Sequence, residues 1–231
     1  MLKNIKGVAF DLDGTLYPNR RLNKKLLPFI IKEWRLLAAF GKARIIIRKE
    51  QEEKANIDSG FAAGFYGYQA EITAKILNVE SEPLQEKIEK LIYRGWEPLF
   101  KNIKLFKGAL ETLDALKKAG YKLGLLSDFP PVTKLEYLGL EGYWEAAHCS
   151  EDTGTLKPHP LSFLRMAEAM SLPPENILYV GNSHSYDVIG AARAGMKTAW
   201  LKPVFSDSSK KRPVPDFSFT NYRQFSNFML N

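Results

Sequence analysis

The second half of the chain alternates between short apolar segments and longer amphipathic ones, and this alternation restricts the fold more than any other feature of the sequence. Short apolar runs are typical of buried strands, whereas apolar residues three or four positions apart are typical of helices. The predicted helices are Ala109–Ala119, Thr133–Leu138, Leu161–Met170, Asp187–Ala194 and Tyr222–Leu230, and the predicted strands are Tyr121–Leu126, Ala146–Cys149, Ile177–Val180, Lys197–Leu201 and Phe217–Phe219. Such repeated units predict an α/β fold: a Rossmann-like parallel sheet with helices on both faces and a ligand site at the carboxyl ends of its strands.

The first predicted strand, residues 5–10, is separated from these units by a stretch with helical patterns throughout. One pattern begins near Leu22, and Pro28, which lacks an amide hydrogen, predicts a kink or a helix start nearby. Further helices are predicted over Ala62–Asn78 and Pro83–Tyr93. We therefore expect a core domain of residues 1–17 and 105–231, with a helical insertion of residues 18–104 after its first strand.

The composition is that of a globular protein with a buried core. Of the 231 residues, 45% are hydrophobic and 26% are charged. No uncharged apolar run reaches the roughly 18 residues that a membrane span needs, and the N-terminus lacks the apolar stretch of a secretory signal. The single cysteine, Cys149, excludes an internal disulfide bond and favours a reducing compartment. We therefore expect a cytoplasmic protein.

The net charge of +7 has one source. Residues 20–54 hold eleven basic and four acidic side chains, so the rest of the chain balances to zero. A solvated helix face is the most favoured interpretation, an anion-attracting surface comes second, and nucleic-acid binding is the least favoured. The residues that could steer an anionic substrate are Arg20, Arg21, Lys24 and Lys25.

Two carboxylates follow the first predicted strand, in the segment Asp11-Leu12-Asp13-Gly14-Thr15-Leu16. Side chains two positions apart can point to the same side, and Gly14 permits a sharp turn whose backbone N–H groups face an anion. At about 4 Å, two like charges repel by roughly 4 kcal/mol at an effective dielectric constant near 20, so the pair needs a cation or a proton. Bound Mg²⁺ would leave Asp11 ionised as a nucleophile and Asp13 able to transfer a proton. The alternative is a turn in which both carboxylates accept only backbone N–H groups.

Two further segments place polar residues near predicted strand ends. Ser127 and Asp128 end an apolar strand, where a hydroxyl suits a phosphoryl oxygen but also suits an ordinary helix N-cap. The prolines on either side of His159 stiffen the chain and fix the direction of the preceding Lys157. A lysine aimed at carboxylates would balance their charge, whereas a lone lysine is normally solvated. His159 itself is interpreted as a loop residue.

The segment Gly181–Asp187 follows another predicted strand and offers oxygen ligands after a glycine turn. Asn182 and Asp187 suit a hard cation. Asp187 is equally suited to cap the helix that follows.

The order and spacing of these four segments resemble the motifs of the haloacid dehalogenase superfamily. The Asp-x-Asp-Gly-Thr-Leu element at Asp11 and the Lys-Pro-x-Pro element at Lys157 carry the resemblance, which extends from residue 8 to about residue 195. The tail Phe217–Leu230 looks like the closing strand and helix of that family. The insertion, residues 18–104, is similar to its C1-type helical cap.

The resemblance implies a phosphatase that hydrolyses a small phosphorylated metabolite through an aspartyl-phosphate intermediate, with Mg²⁺ as cofactor. It implies that Asp11 is the nucleophile and that Asp13 is the acid and base. The residues implied to bind the substrate phosphate are Gly14, Ser127, Asp128 and Lys157. The implied metal ligands are Asp11, Asp13, Asn182 and Asp187.

The chain departs from the family pattern at two positions. Asp128 stands where the family usually has Asn, and an inward-pointing carboxylate there would repel phosphate. Asn182 stands where the family usually has Asp, and an uncharged amide oxygen predicts weaker metal binding with an unchanged mechanism. These two residues favour the main alternative, a non-catalytic binding or scaffold protein.

The sequence also bears on other activities of the superfamily. Dehalogenases resemble this chain in cap type but have Tyr two places after the nucleophile, so Asp13 argues against dehalogenation. A sugar-phosphate mutase or a phosphonatase stays open as an alternative. The insertion's aromatic residues are expected to form its own small core, with a substrate pocket as the second interpretation; they are Phe61, Phe65, Tyr66 and Tyr68.

Overall fold

The computed structural model describes residues 4–53, 60–207, 209 and 211–230, with the backbone alone at residues 60–63. Within these residues the strands form one parallel sheet in the order β3-β2-β1-β4-β5-β6. The strands are β1 (Gly7–Phe10), β2 (Lys122–Ser127), β3 (Ala146–Cys149), β4 (Ile177–Gly181), β5 (Lys197–Leu201) and β6 (Phe217–Phe219). The predicted α/β class and the helical insertion after the first strand are confirmed.

The sheet has an apolar core on each face because its strands carry apolar side chains in both directions. Val8 and Phe10 of β1 belong to the larger core, whereas Ala9 between them belongs to the smaller core on the other face. Helices α5 (Ala109–Lys118), α6 (Val132–Leu138) and α9 (Tyr222–Leu230) cover the larger core, and α7 (Pro160–Ala169) and α8 (Ile189–Arg193) cover the smaller one. The central strand β1 pairs with β2 and β4, so the chain leaves all three strands at one edge.

The insertion after β1 is helical and has a core of its own. Its elements are α1 (Asn19–Glu53), α2 (Gly60–Leu77), α3 (Ser81–Ile88), a π-helical turn (Glu89–Tyr93), the short α4 (Arg94–Trp96) and a 3₁₀ turn (Glu97–Phe100). Leu36 and Phe40 of α1 pack there against Ala70, Leu84 and Ile88. In the described part of the chain, no helix has both the length and the apolar character to span a bilayer.

The kink in α1 lies beyond the proline that predicted it. The backbone leaves helical geometry at Glu33, with φ −116° and ψ 27°, whereas Pro28 is accommodated five positions earlier inside the helix. The two parts of α1 serve different cores: Leu22 and Leu26 pack in the core of the sheet, and Leu36 packs in the core of the insertion. The helix therefore bends where its buried face changes partner.

Two predicted helices contain a π-helical turn. The helix predicted over Pro83–Tyr93 ends at Ile88 and continues as the π turn, and the one predicted over Asp187–Ala194 is divided into a π turn, His184–Val188, and α8. In the second turn, the carboxylate of Asp187 accepts the N–H of Ser183 at 2.8 Å. This bond ties the side chain of Asp187 back to Ser183, the N-cap of the turn, and leaves its other carboxylate oxygen facing the sheet edge.

Candidate active site

Four chain segments meet at the carboxyl edge of the sheet. Asp11 directly follows β1, Ser127 is the last residue of β2, and Gly181 is the last residue of β4. The N–H of Asp11 continues the ladder by donating to the carbonyl oxygen of Val180 at 2.9 Å. Lys157 reaches the same edge from the loop that follows β3. The structure therefore brings residues from all four sequence motifs together.

The centre of the site is a buried ammonium group between two carboxylates. Nζ of Lys157 lies 2.7 Å from Oδ1 of Asp11 and 2.8 Å from Oδ1 of Asp187. It also lies 3.3 Å from both the Leu126 carbonyl oxygen and the Tyr179 hydroxyl. All three charged residues are buried. We name this group, Lys157 with Asp11 and Asp187, the lysine cluster.

With every group ionised, the lysine cluster has two negative charges and one positive charge. Burial, together with the carboxylates of Asp187 and Asp13, raises the pKa of Asp11 to about 7 against the opposing effect of Lys157. The two carboxylates hold the pKa of Lys157 well above its usual value, although burial acts to lower it. A buried carboxylate with so high a pKa indicates a place where a further cation would be stabilised.

A threonine and a glycine fix the nucleophile loop. Oγ1 of Thr15 donates to Oδ2 of Asp11 at 2.7 Å and lies 3.4 Å from Oδ1 of Asn182. Gly14 has a φ of +90°, and a Cβ at that position would lie 2.4 Å from the Asn182 amide nitrogen. The loop therefore requires glycine, and the Thr15 hydroxyl lies between Asp11 and the amide of Asn182. No sequence pattern pointed to Thr15, because its hydroxyl acquires its partners only in the folded loop.

Asp13 lies beside the lysine cluster and is bonded to other residues. Its carboxylate accepts hydrogen bonds from the Tyr17 hydroxyl and, at 3.0 Å, from Nζ of Lys134. Oγ of Ser127 lies 3.4 Å from Oδ2 of Asp13, so both predicted residues face the same space. Burial acts to raise the pKa of Asp13, but Lys134 and Tyr17 outweigh it and hold the pKa below its usual value.

Lys134 is a functional candidate that the sequence analysis missed. It stands in the first turn of α6, is almost fully buried, and has its ammonium 5.1 Å from the ring centre of Phe100 and 5.2 Å from that of Phe129. A lysine at the start of a helix is normally solvated, so no sequence signal pointed to it. With Lys134 included, the site holds three carboxylates and two ammonium groups.

The side chain of Asp128 is bonded to the insertion. Its Oδ2 lies 2.7 Å from Nη2 of Arg48 and 3.6 Å from Nη2 of Arg44, and its Oδ1 accepts the Ser150 hydroxyl at 2.6 Å. Burial opposes ionisation, yet Lys157, Arg44 and Arg48 lower the pKa of Asp128 to about 2. The carboxylate therefore has its own counterions, and the predicted repulsion of phosphate is compensated.

A second ionic group adjoins Asp128. Arg44 forms a salt bridge with the fully buried Glu151, which also accepts the Tyr93 hydroxyl at 3.0 Å. Burial raises the pKa of Glu151 to about 7 although Arg44 opposes this shift. We name Arg44, Arg48, Asp128 and Glu151 the arginine cluster.

The oxygen donors at the sheet edge suit magnesium in kind. Asp11, Asp187 and Asn182 present carboxylate and amide oxygens, the ligands that a hard divalent cation prefers. Among the described residues, no group of three or more His, Cys, Asp or Glu side chains is arranged to hold a metal ion. The Asp13 carboxylate is turned towards Lys134, and Asn182, another of the predicted metal ligands, has an amide where a carboxylate would carry charge. The metal-binding role predicted for Asp13 stays a prediction.

Three other residues that the sequence singled out have structural partners, whereas Arg20 and Lys24 are exposed at the surface. Arg21 donates to the carbonyl oxygen of Lys104 and, at 3.3 Å, to that of Leu105. Lys25 donates to the carbonyl oxygen of Leu99 at 2.9 Å, so both side chains bind the chain where the insertion ends. His159 caps α7, as its Nδ1 accepts the N–H of Leu161 at 3.3 Å.

Of the aromatic residues that the sequence singled out in the insertion, the described ones pack in or against its hydrophobic clusters, and Tyr66 and Tyr68 are partly buried there. Phe65 is fully buried with Ile47 and Leu156, which confirms the core interpretation for this residue. The hydroxyls of Tyr66 and Tyr68 donate to Asp152 and Glu50, respectively. The side chain of Phe61 lies outside the described residues.

A parallel sheet with a helical insertion and a buried Asp–Lys–Asp cluster at its carboxyl edge defines a Rossmann-like α/β protein with a charged site. The profile of the family described as haloacid dehalogenase-like hydrolase matches residues 5–195, and the chain belongs to this family of enzymes. The resemblance found in the sequence is confirmed.

Curated relatives and a solved structure are similar along most of the chain. The sequence is 27% identical over 208 residues to the glyceraldehyde 3-phosphate phosphatase of Pyrococcus furiosus, covering 87% of this chain and 82% of that protein. It is 28% identical over 221 residues, with the same two coverages, to the phosphoglycolate phosphatase of Salmonella choleraesuis. A HAD phosphatase from Thermococcus onnurineus superposes with a TM-score of 0.64 at 23% identity, over 97% of this chain and 98% of that one. The last similarity shows the fold alone.

Proposed function

We propose that the protein is a Mg²⁺-dependent phosphatase that hydrolyses a small phosphomonoester through an aspartyl-phosphate at Asp11. The observation that carries the proposal is the fixed orientation of Asp11. Lys157 donates to one of its carboxylate oxygens at 2.7 Å, and Thr15 donates to the other at 2.7 Å. A nucleophile held in this way attacks without first losing rotational freedom.

In the first half-reaction, an oxygen of Asp11 attacks the phosphorus atom and the bond to the leaving oxygen breaks. Asp13 delivers a proton to that oxygen. Lys134 and Tyr17 hold the pKa of Asp13 low, and the negative phosphoryl group beside it raises its affinity for a proton. In the second half, a water attacks phosphorus, its proton passes to Asp13, and Asp11 is released.

The phosphoryl oxygens would be bound by Lys157, the Ser127 hydroxyl and the N–H groups around Gly14. Mg²⁺ held by Asp11, Asn182 and Asp187 would neutralise charge on the phosphoryl group when bound. Positioning and charge neutralisation are the main sources of rate in phosphoryl transfer, and buried donors provide both.

We further propose that residues 18–104 are a cap over this site and that residues 1–17 and 105–231 are the core domain. Arg44 and Arg48 of the insertion contact Asp128 beside Ser127, which supports this division. The relatives are named for glyceraldehyde 3-phosphate and phosphoglycolate, so we infer a small phosphorylated metabolite as substrate. The single cysteine, Cys149, is buried and free, in keeping with the cytoplasmic location that we expect.

Asp11→Asn tests the proposal, because it removes the nucleophilic charge and keeps the shape of the side chain. We expect hydrolysis of para-nitrophenyl phosphate with Mg²⁺ to fall to background while the circular dichroism spectrum is unchanged. The matched control is Asp114→Asn on α5, whose carboxylate accepts the Tyr143 hydroxyl at the surface. This control should keep the wild-type rate, and a wild-type rate in Asp11→Asn would refute the assignment.

A further inference from the structure

We propose that Arg48 of α1 is a positioning residue that holds three of the active-site loops, those of Ser127, Lys157 and Asp187, against the insertion. Its main hydrogen-bond acceptor is the Asp128 carboxylate. This inference rests on the proposed phosphatase function. It assigns Asp128 a role in holding the loops and explains an acidic residue at a position where the family usually has Asn.

The guanidinium of Arg48 contacts three of the four motifs at once. Nη2 donates to the Asp128 carboxylate at 2.7 Å, and Nε donates to the carbonyl oxygen of Lys157 at 2.8 Å. Its central carbon lies 4.4 Å from the ring centre of Tyr186, the residue before Asp187. One side chain of the insertion therefore touches the loops that carry Ser127, the catalytic lysine and Asp187.

Neighbouring residues of α1 extend the same contact along one helical face. Arg44, one turn earlier, donates to the Asp128 carbonyl oxygen at 3.2 Å and lies over the Phe129 ring at 4.5 Å. Gln51, one turn later, donates to the Gly154 carbonyl oxygen at 3.0 Å and accepts the N–H of Leu156 at 3.0 Å. Positions four and three residues apart share a helix face, so α1 binds the loops as a unit.

Asp128 connects Arg48 to the backbone of Lys157. Its Oδ1 accepts the backbone N–H of Lys157 at 3.3 Å, while Arg48 bonds the Lys157 carbonyl oxygen. Both polar groups of the Lys157 backbone are thus held through the Arg48–Asp128 pair. A displacement of about 1 Å at reacting groups can cost up to about 100-fold in rate, so the pair has a direct effect on the site.

The partial burial of the Arg48–Asp128 pair allows its effect on loop position to be distinguished from its effect on the stability of the fold. The side chains of Arg48 and Asp128 are 15% and 17% exposed, whereas that of Glu151 is fully buried. Lys157 and Arg44 still compensate the Asp128 carboxylate when Arg48 is removed, so the loss of stability should be smaller than that from removing the main counterion of Glu151. Loss of Arg48 should therefore change the loops and the reaction more than the unfolding transition.

The experiment compares Arg48→Met, Arg48→Lys, Asp128→Asn and the double variant Arg48→Met/Asp128→Asn with wild type. With para-nitrophenyl phosphate and Mg²⁺, we expect Arg48→Met to lower kcat about 10- to 100-fold with a smaller change in KM. Arg48→Lys should not rescue the rate, because an ammonium lacks the planar guanidinium geometry that bonds the Asp128 carboxylate and the Lys157 carbonyl oxygen together. The double variant should be no slower than the slower of the two single variants, since each substitution removes the same Arg48–Asp128 interaction.

Hydrogen exchange gives a readout that does not depend on activity. The amide of Lys157 should exchange at least about tenfold faster in Arg48→Met and in Asp128→Asn than in wild type, as its acceptor is displaced or weakened. The matched control is Arg165→Met, which removes an exposed ion pair with Glu168 on α7 and should leave both rate and exchange unchanged.

The outcomes separate the two proposals. Unchanged exchange at Lys157 in Arg48→Met, or multiplicative losses of kcat in the double variant, would overturn the positioning role. An inactive wild-type enzyme, or an active Asp11→Asn variant, would overturn the proposed function. In that case faster exchange in Arg48→Met would still establish that the insertion locks the loops.

Discussion

The lysine cluster and the arginine cluster lie at the same edge of the sheet and contain two carboxylates each, but they balance charge differently. One ammonium group serves Asp11 and Asp187, whereas two guanidinium groups serve Asp128 and Glu151. With every group ionised, the first cluster has a surplus negative charge and the second is neutral. A surplus of charge suits a site that takes up a cation and a phosphoryl group, and neutrality suits a structural contact.

The strongest test of this comparison removes the cation of the first cluster. Lys157→Met leaves Asp11 and Asp187 buried without a counterion, so we expect activity to fall to background and the free energy of unfolding to drop by about 3–5 kcal/mol at pH 8. Urea unfolding followed by circular dichroism measures the second effect. The double variant Asp11→Asn/Lys157→Met should recover part of the loss, and a wild-type stability in Lys157→Met would contradict the account.

The next test removes a cation from the arginine cluster. Arg44→Met leaves Glu151 without its main counterion, and we expect a loss of about 3–5 kcal/mol at pH 8. The pKa of Glu151 is already raised to about 7 in the folded protein, so its folded pKa exceeds its unfolded one. A group of this kind stabilises below its unfolded pKa and loses that contribution as pH rises.

The penalty of Arg44→Met should therefore be smaller at pH 5, where Glu151 is protonated, than at pH 8. The matched control is Arg94→Met, because this arginine is exposed where it pairs with Glu89 and Glu97, and its loss should change stability by less than about 1 kcal/mol. A penalty that is equal at both pH values would show that the charge of Glu151 is not its cause.

The smallest expected effect concerns the amide of Asn182, which lies next to Thr15 beside the lysine cluster. Asn182→Asp adds a charged ligand beside Asp11, and we expect a lower half-saturating concentration of Mg²⁺ with a similar maximal rate. Lys134 adds a positive charge to the site, so the extra carboxylate is compensated once the metal is bound. Titration of activity with Mg²⁺ measures the change. An unchanged half-saturating concentration would show that the amide does not limit metal binding.

The sequence predicted the lysine cluster well because its residues follow strands of a parallel sheet. Chain direction alone places Asp11 and Asp187 at one edge, and the prolines after Lys157 mark an unusual lysine. The arginine cluster was not predicted. Its basic residues belong to a segment interpreted as a solvated helix face, which is right for the exposed Lys24 and Lys32 and wrong for Arg44.

The reason for this difference is the distance along the chain over which each feature acts. Thr15 and Tyr17 belong to the same loop as the nucleophile, but their hydroxyls have several possible partners until the loop folds. Lys134 and Arg48 reach the site from helices whose packing depends on the whole structure. The kink at Glu33 likewise depends on two cores that only the folded chain possesses.

The most direct test of the central claim is to trap the covalent intermediate. The enzyme is mixed with para-nitrophenyl phosphate and Mg²⁺, quenched with acid during turnover, and its peptides are analysed by mass spectrometry. We expect a phosphoryl group on Asp11, and none on any peptide of Asp11→Asn. Turnover with the phosphoryl group on another residue, or with no phosphorylated peptide and full activity in Asp11→Asn, would contradict the account.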